Sequence, residues 1–296
     1  MLSMRTATSV LEIDPACGGA LTAWTRNGVP ILHPVVDPNL IAQRLRAVAA
    51  YPLIPFSNRV GYGRFAFGDE SFRLAENFAG EPHTIHGNAW MREWSVESHD
   101  DMVTVLTLSH EPPRDPSTEW PFRYHARLEY ALRDDGLSVR IAVRNTDDRP
   151  QPVGLGFHPF FPRGGDVELG FSAGSVWIAG EDALPAERLA VSDHPAYRFQ
   201  PMRAVDGPPL DNCFAGWSRL AFLRWPSRGL ALTIRAEAPF DHLVVFSPPG
   251  KDFIAVEPAS NMTDAVNRPD IEDRGLSVLQ PGETLSSTVD LSLMGL

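Results

Sequence analysis

Apolar and polar residues alternate with a period of two along much of the chain, and helical periodicity is rare. The clearest run is Leu137 to Arg144, where Leu137, Val139, Ile141 and Val143 share one face and Arg140 and Arg144 occupy the other. Just before it, Leu128 to Leu132 alternates likewise, and Arg133-Asp134-Asp135-Gly136 joins the two. An Asp-Gly step between alternating runs predicts a hairpin, with Gly136 taking a positive φ. A second hairpin is predicted from Leu220–Trp225 and Leu230–Ile234, turning at Pro226 to Gly229. Shorter strands are readable at Val103–Leu108, Leu243–Phe246, Phe253–Val256 and Thr288–Leu293, the last following the turn Gln280 to Glu283. No stretch reads as a long capped amphipathic helix. The pattern predicts an all-β fold, a sandwich or barrel. No repeat, low-complexity tract or composition shift marks a boundary, so residues 1–296 read as a single domain.

Composition narrows the partners. Apolar residues make up 43% and charged residues 21% of the 296, a globular balance. The 50 glycines and prolines are scattered, which suits frequent turns rather than a linker. A formal charge of −11 gives no electrostatic reason to gather phosphate backbones, so nucleic acid is not expected. The first residues lack an uninterrupted apolar segment after Arg5, and no run approaches the ~20 apolar residues that span a bilayer. The two cysteines, Cys17 and Cys213, have no motif spacing. A reduced, cytoplasmic protein is expected, without membrane partners.

Several kinds of chemistry lack support in the motifs. Gly61-Tyr62-Gly63-Arg64 has neither the third glycine nor the following helix of a dinucleotide site. His83 and His86 lie three apart, on opposite faces of an extended chain, with no further ligand at metal spacing. No Gly-x-Ser-x-Gly elbow occurs. What remains is a set of polar residues in apolar or turn-rich surroundings: Asn58, Arg59, His86, His158, Asp211 and Glu257. Taken singly, each has an ordinary structural reading. A histidine among aromatics is commonly a satisfied core residue, a glutamate ending a strand is commonly solvated, and an aspartate commonly starts a turn.

In order, the set resembles the aldose 1-epimerase (galactose mutarotase) family. Asn58-Arg59-Val60-Gly61-Tyr62-Gly63-Arg64-Phe65 is similar to the family's Asn-Arg segment, and Thr84-Ile85-His86-Gly87 to its His-Gly turn. His158-Pro159-Phe160-Phe161 resembles its His-x-aromatic-Phe motif, and Asp211-Asn212-Cys213-Phe214 its Asp-x-x-Phe. Val256-Glu257-Pro258 with Asp264-Ala265-Val266-Asn267 resembles its closing pair. The pieces run from about Pro52 to Asn267. Asn88 stands where a second glycine is common, and Phe157 and Pro159 flank His158 as in the shorter bacterial branch.

The resemblance implies a large antiparallel β-sandwich with a monosaccharide in an open cleft across one sheet. It implies Glu257 as base and His158 as acid in sugar ring opening and reclosure, without cofactor or metal. Arg59, His86, Asp211 and Asn58 would bind the sugar. On this mechanism Glu257 rests ionised and His158 protonated, each favouring the other's charge. Trp90 could face the sugar or pack in the core. The rival readings are a non-catalytic sugar-binding or sensor protein, a mutarotase for a phosphorylated or acidic sugar, and a glycosidase, which ordinarily uses two carboxylates. An acidic sugar would call on further cations, for which Arg64, Arg73 and Arg92 are available. Monomer and two-fold dimer are both compatible with the sequence.

Overall fold

The computed structural model describes residues 1–36, 48–112 and 119–295. Two large sheets dominate it. One has eleven strands, in the order Leu2–Arg5, Ser9–Asp14, Ala20–Arg26, Ala50–Leu53, Gly156–Pro162, Phe253–Ala259, His242–Ser247, Leu210–Ala215, Ser175–Ala179 and Pro185–Ala190, with Val29–Pro30 beside Ala20–Arg26. The other has nine: Ser95–His99, Val103–His110, Tyr124–Arg133, Gly136–Asn145, Thr284–Gly295, Leu230–Ala236, Leu220–Trp225, Glu168–Phe171 and Arg203–Ala204. Neighbouring strands run antiparallel, as in Tyr124–Arg133 against Gly136–Asn145 and His242–Ser247 against Phe253–Ala259. Among the described residues the helices are three-residue 3-10 turns. The all-β expectation therefore holds.

The core lies between the sheets, and strand parity decides what enters it. From the nine-stranded sheet come Leu128, Tyr130, Val139, Ile141, Val289 and Leu291. From the eleven-stranded sheet come Phe157, Phe161, Phe214, Leu243, Val245, Ile254 and Val256. The residues between these face the other way. Tyr51, Phe160, Phe253 and Ala255 form a second apolar cluster on the outer face, and Cys213 and Val244 belong to a third. His158, Glu257 and Asp211 share that outward parity.

Both predicted hairpins form, one for a different reason than the sequence suggests. Arg133 pairs with Gly136, so Asp134 and Asp135 make the turn, and Gly136 does not adopt a positive φ. A Cβ at position 136 would lie 2.4 Å from the Leu291 carbonyl oxygen, so close approach of the neighbouring strand is what calls for glycine. In the second hairpin Gly229 does close the turn with φ +57°. No helix among the described residues is long and apolar enough to cross a membrane.

Candidate active site

Five adjacent strands of the eleven-stranded sheet form the floor of a cleft of about 250 Å³. Gly156 opposes Ala259 and Phe160 opposes Ala255, a register that sets His158 across from Glu257. His158 Nε2 lies 3.3 Å from Glu257 Oε1, with the two side chains 8% and 2% exposed. On the other flank Tyr51 is the direct partner of His158, and its ring stacks on the imidazole at 4.7 Å and 22°. Phe160 crowds the same imidazole at 4.5 Å. Prolines at 159 and 258 have no N–H to donate, and the pairing of these two strands is interrupted between Gly156 and Phe160. The central rung is thus defined by side chains.

The wall comes from a ribbon in which Arg59–Val60 pairs with Thr84–Ile85. One residue further out, the Asn58 N–H donates to His86 Nδ1 at 3.1 Å and the His86 N–H donates to the Asn58 carbonyl at 2.9 Å. An imidazole that accepts at Nδ1 and is neutral carries its proton on Nε2, so His86 presents a donor. Burial keeps it neutral, lowering its pKa well below the ordinary value, with His158 and Arg59 adding to the effect. Asn58 and His86 both hold positive φ, 62° and 63°, backbone strain of a kind that gathers at functional sites. Gly87 follows at φ +68°, where a Cβ would meet the Ile54 carbonyl oxygen at 2.0 Å.

Arg59 reaches over the floor. Its Nη2 lies 3.1 Å from Glu81 Oε2 and 3.4 Å from Asp211 Oδ2. Burial works against its charge, and the two carboxylates outweigh burial and raise its pKa. Asn58 Oδ1 accepts from the Arg59 N–H at 2.9 Å and from Nη1 at 3.4 Å, so this side chain braces Arg59. Behind it the Asp264 N–H donates to the Arg59 carbonyl, and Asp264 Oδ1 accepts from the Gly61 N–H and from Asn267 Nδ2. The Asp-Ala-x-Asn motif is a clamp on the arginine loop. Asn261 clamps the same loop one step earlier, exchanging two hydrogen bonds with the backbone of Ser57.

Asn58, Arg59, His86, His158, Asp211 and Glu257 therefore line one cleft. Trp90 does not. It is buried, its indole N–H donates to the Gly87 carbonyl, and its ring packs near Tyr51 at 5.8 Å. His83 receives the Tyr62 N–H at Nδ1, and Nε2 lies 2.6 Å from the Asp182 carbonyl, so both ring nitrogens are engaged. Arg64 and Arg73 face each other across a separate two-stranded ribbon, and Arg92 pairs with Glu119, all away from the cleft lining. Sequence reasoning missed Glu81 and Tyr51. Nothing near Glu81 distinguishes it from a solvated acid, and Tyr51 sits in a strand buried on both faces, where alternation gives no signal.

The charge state differs from the expectation of a resting ion pair. Burial pulls His158 down to about 3. Burial also pushes Glu257 well above the usual carboxylate value, with Asp211 adding and Arg59 opposing. Both directions favour one proton held by the pair in its neutral form. Desolvation of two buried groups outweighs their mutual attraction. Glu257 Oε2 and His158 Nδ1 are buried without a hydrogen-bond partner among the described residues, an arrangement a polar ligand could relieve at the carboxyl. A larger recess of about 670 Å³ shares Phe78 with the cleft, but among the described residues its lining holds no histidine and its one cation, Arg92, is paired. The smaller cleft holds the His158–Glu257 couple, and its size suits a single sugar ring, below the ~300–1,000 Å³ of drug-sized sites.

Comparison with known proteins finds relatives in sequence and in fold. The uncharacterised protein YphB of Escherichia coli K12 is 28% identical over 281 residues, covering 93% of this chain and 92% of that one. An aldose 1-epimerase of the same organism is 26% identical over 114 residues, 38% of this chain and 31% of that enzyme. A crystal structure of a galactose mutarotase-like protein from Clostridium acetobutylicum superposes with a TM-score of 0.87 at 20% identity, covering 99% and 95% of the two chains, which is a likeness of fold. The aldose 1-epimerase family model matches residues 9–292, a span that leaves out the strand Leu2–Arg5 and the end of Thr284–Gly295 and takes in every described residue lining the cleft. On that match, the chain belongs to the aldose 1-epimerase family.

Proposed function

We propose that the protein interconverts the α and β anomers of a free aldose by acid–base ring opening and reclosure. The observation that carries this reading is the His158–Glu257 couple, 3.3 Å apart and buried on the floor of a sugar-sized cleft. A binding module has no need of a proton-transfer pair there.

Ring opening takes the proton from the C1 hydroxyl, breaks the bond between C1 and the ring oxygen as the C1 carbonyl forms, and returns a proton to the ring oxygen. Glu257 as carboxylate receives the first proton and His158 as imidazolium supplies the second. The couple then holds one proton as neutral imidazole and carboxylic acid. Burial favours that form, so ring opening runs towards the protonation state the site prefers. In the sugar-free cleft the proton rests with Glu257, and moving it to His158 crosses only the short gap between them. Sugar hydroxyls donating to Glu257 Oε2 would stabilise the carboxylate and bring about that shift. Rotation about C1–C2 and the reverse transfers give the other anomer, and each general acid or base of this kind contributes about 10²–10⁴ in rate. His86 donates from Nε2 to the sugar, while Asp211 and Arg59 hold its hydroxyls at the rim.

Saturable acceleration of optical-rotation change by the purified protein, on fresh α-glucose and α-galactose, tests the proposal. Tight sugar binding with no acceleration would make it a sensor instead.

A further inference from the structure

We propose that Glu81 is a specificity-determining residue, which occupies Arg59 as an internal counter-ion and so excludes anionic sugars from the cleft. The inference rests on the cleft being the sugar site proposed above. A guanidinium at the edge of a sugar site is by itself a receptor for carboxylate or phosphate, because two of its N–H groups can engage an anion side by side. Here that side-by-side capacity is largely taken up at the two terminal nitrogens. Nη2 is held by Glu81 at 3.1 Å and by Asp211 at 3.4 Å, and Nη1 lies 3.4 Å from Asn58 Oδ1. Arg59 Nε is buried.

Glu81 differs from Asp211 in a way that matters. Asp211 stands on the sheet with its side chain 44% exposed, and it belongs to the ordered set of motif residues. Glu81 comes from the segment between the strands Glu70–Arg73 and Thr84–Ile85, and its side chain is 17% exposed. A charge so placed is weakly screened, and an incoming anion could reach Arg59 Nη2 only by displacing it and leaving it no cation, with His83 Nε2 3.9 Å from its Oε1 already turned to the Asp182 carbonyl. Apart from the His158–Glu257 couple, the charged groups among the described residues lining the cleft are one guanidinium and two carboxylates. The surplus is negative, and it favours an uncharged or protonated amino sugar over a uronic acid or a sugar phosphate.

Calorimetric dissociation constants at low salt test this without relying on turnover. Galactose and galacturonate, and glucose and glucuronate, are compared on the full chain, on Glu81→Gln and on Glu81→Asp. Wild type is expected to bind the neutral member of each pair more tightly. Glu81→Gln narrows the neutral-to-anionic ratio by about tenfold or more, as removal of one nearby charge in a partly buried site implies. Glu81→Asp, which keeps the charge, retains most of the discrimination. An equal weakening of both sugars with the ratio unchanged would make Glu81 a structural prop and overturn the proposal. Wild type binding the uronic acids as tightly as the neutral sugars would overturn it as well. Polarimetry on the same preparations reads the epimerase proposal separately, since charge discrimination in binding survives even where no anomer exchange occurs.

Discussion

Replacing His158 by asparagine separates a neutral His158–Glu257 couple from a resting ion pair, and it does so through stability as well as activity. In the native protein burial holds the imidazole near pKa 3, whereas in the unfolded chain it titrates at the ordinary 6.5. Between these values the unfolded chain binds a proton that the native one refuses, so acidification favours unfolding. At pH 7 the difference is small. At pH 5 the unfolded histidine lies 1.5 units below its own pKa, and at ~1.36 kcal/mol per unit this costs the wild type about 2 kcal/mol. Asparagine does not titrate, so the variant escapes the cost. Urea unfolding at pH 7 and pH 5 is expected to show wild type losing about 2 kcal/mol relative to His158→Asn on acidification, with unchanged denaturant dependence. The carboxyl of Glu257 titrates in both proteins and largely cancels in the comparison. If the variant instead lost more stability than wild type on acidification, His158 would be cationic in the native state, and the neutral couple would be refuted.

Other substitutions follow from the same geometry. Glu257→Gln is expected to lower anomer exchange by about 10²–10⁴ in polarimetry while the far-ultraviolet spectrum stays unchanged. Because burial raises the Glu257 pKa, the native carboxyl stabilises most at acid pH and loses that contribution as pH rises, so Glu257→Gln gains stability relative to wild type at pH 7 compared with pH 4 in the same urea assay. His86→Asn keeps an acceptor for the Asn58 N–H and is expected to cost no more activity than His158→Asn, the reverse order exchanging their roles. Gly87→Ala places a Cβ against the Ile54 carbonyl at a positive φ, and thermal or urea unfolding is expected to show a loss of about 2–4 kcal/mol.

Much of the scaffold was legible because its strands are half-buried. The run Leu137 to Val143 alternates cleanly, and the sheet buries just that face. Strands buried on both sides, such as Ala50–Leu53 and Gly156–Pro162, carry no alternation, and the second holds His158 of the proposed catalytic rung while the first flanks it. Six polar positions were identifiable through their ordered motifs, although their juxtaposition depends on register. His158 and Glu257 meet because Gly156 opposes Ala259, a long-range pairing that neither segment encodes alone. Glu81 had no motif to mark it, and only the fold brings it to Arg59. The charge state was the least legible. The attraction between an acid and a base can be read from their identities, whereas the desolvation that overrides it depends on how completely Tyr51, Phe160 and the sheet enclose them.

The cleft has two parts of different origin, a floor of paired strands and a wall made by a short ribbon and the segment around Glu81. The floor carries the proposed proton-transfer couple, locked by cross-strand register and an aromatic stack. The wall carries the groups that would recognise a sugar's hydroxyls and charge. Insertions or exchanges between Arg73 and Thr84 could therefore retune which sugar is accepted while the distance between acid and base stays fixed. Such a division makes the scaffold a natural chassis for divergence: the chemistry is inherited with the sheet, and the preference is rewritten at its edge.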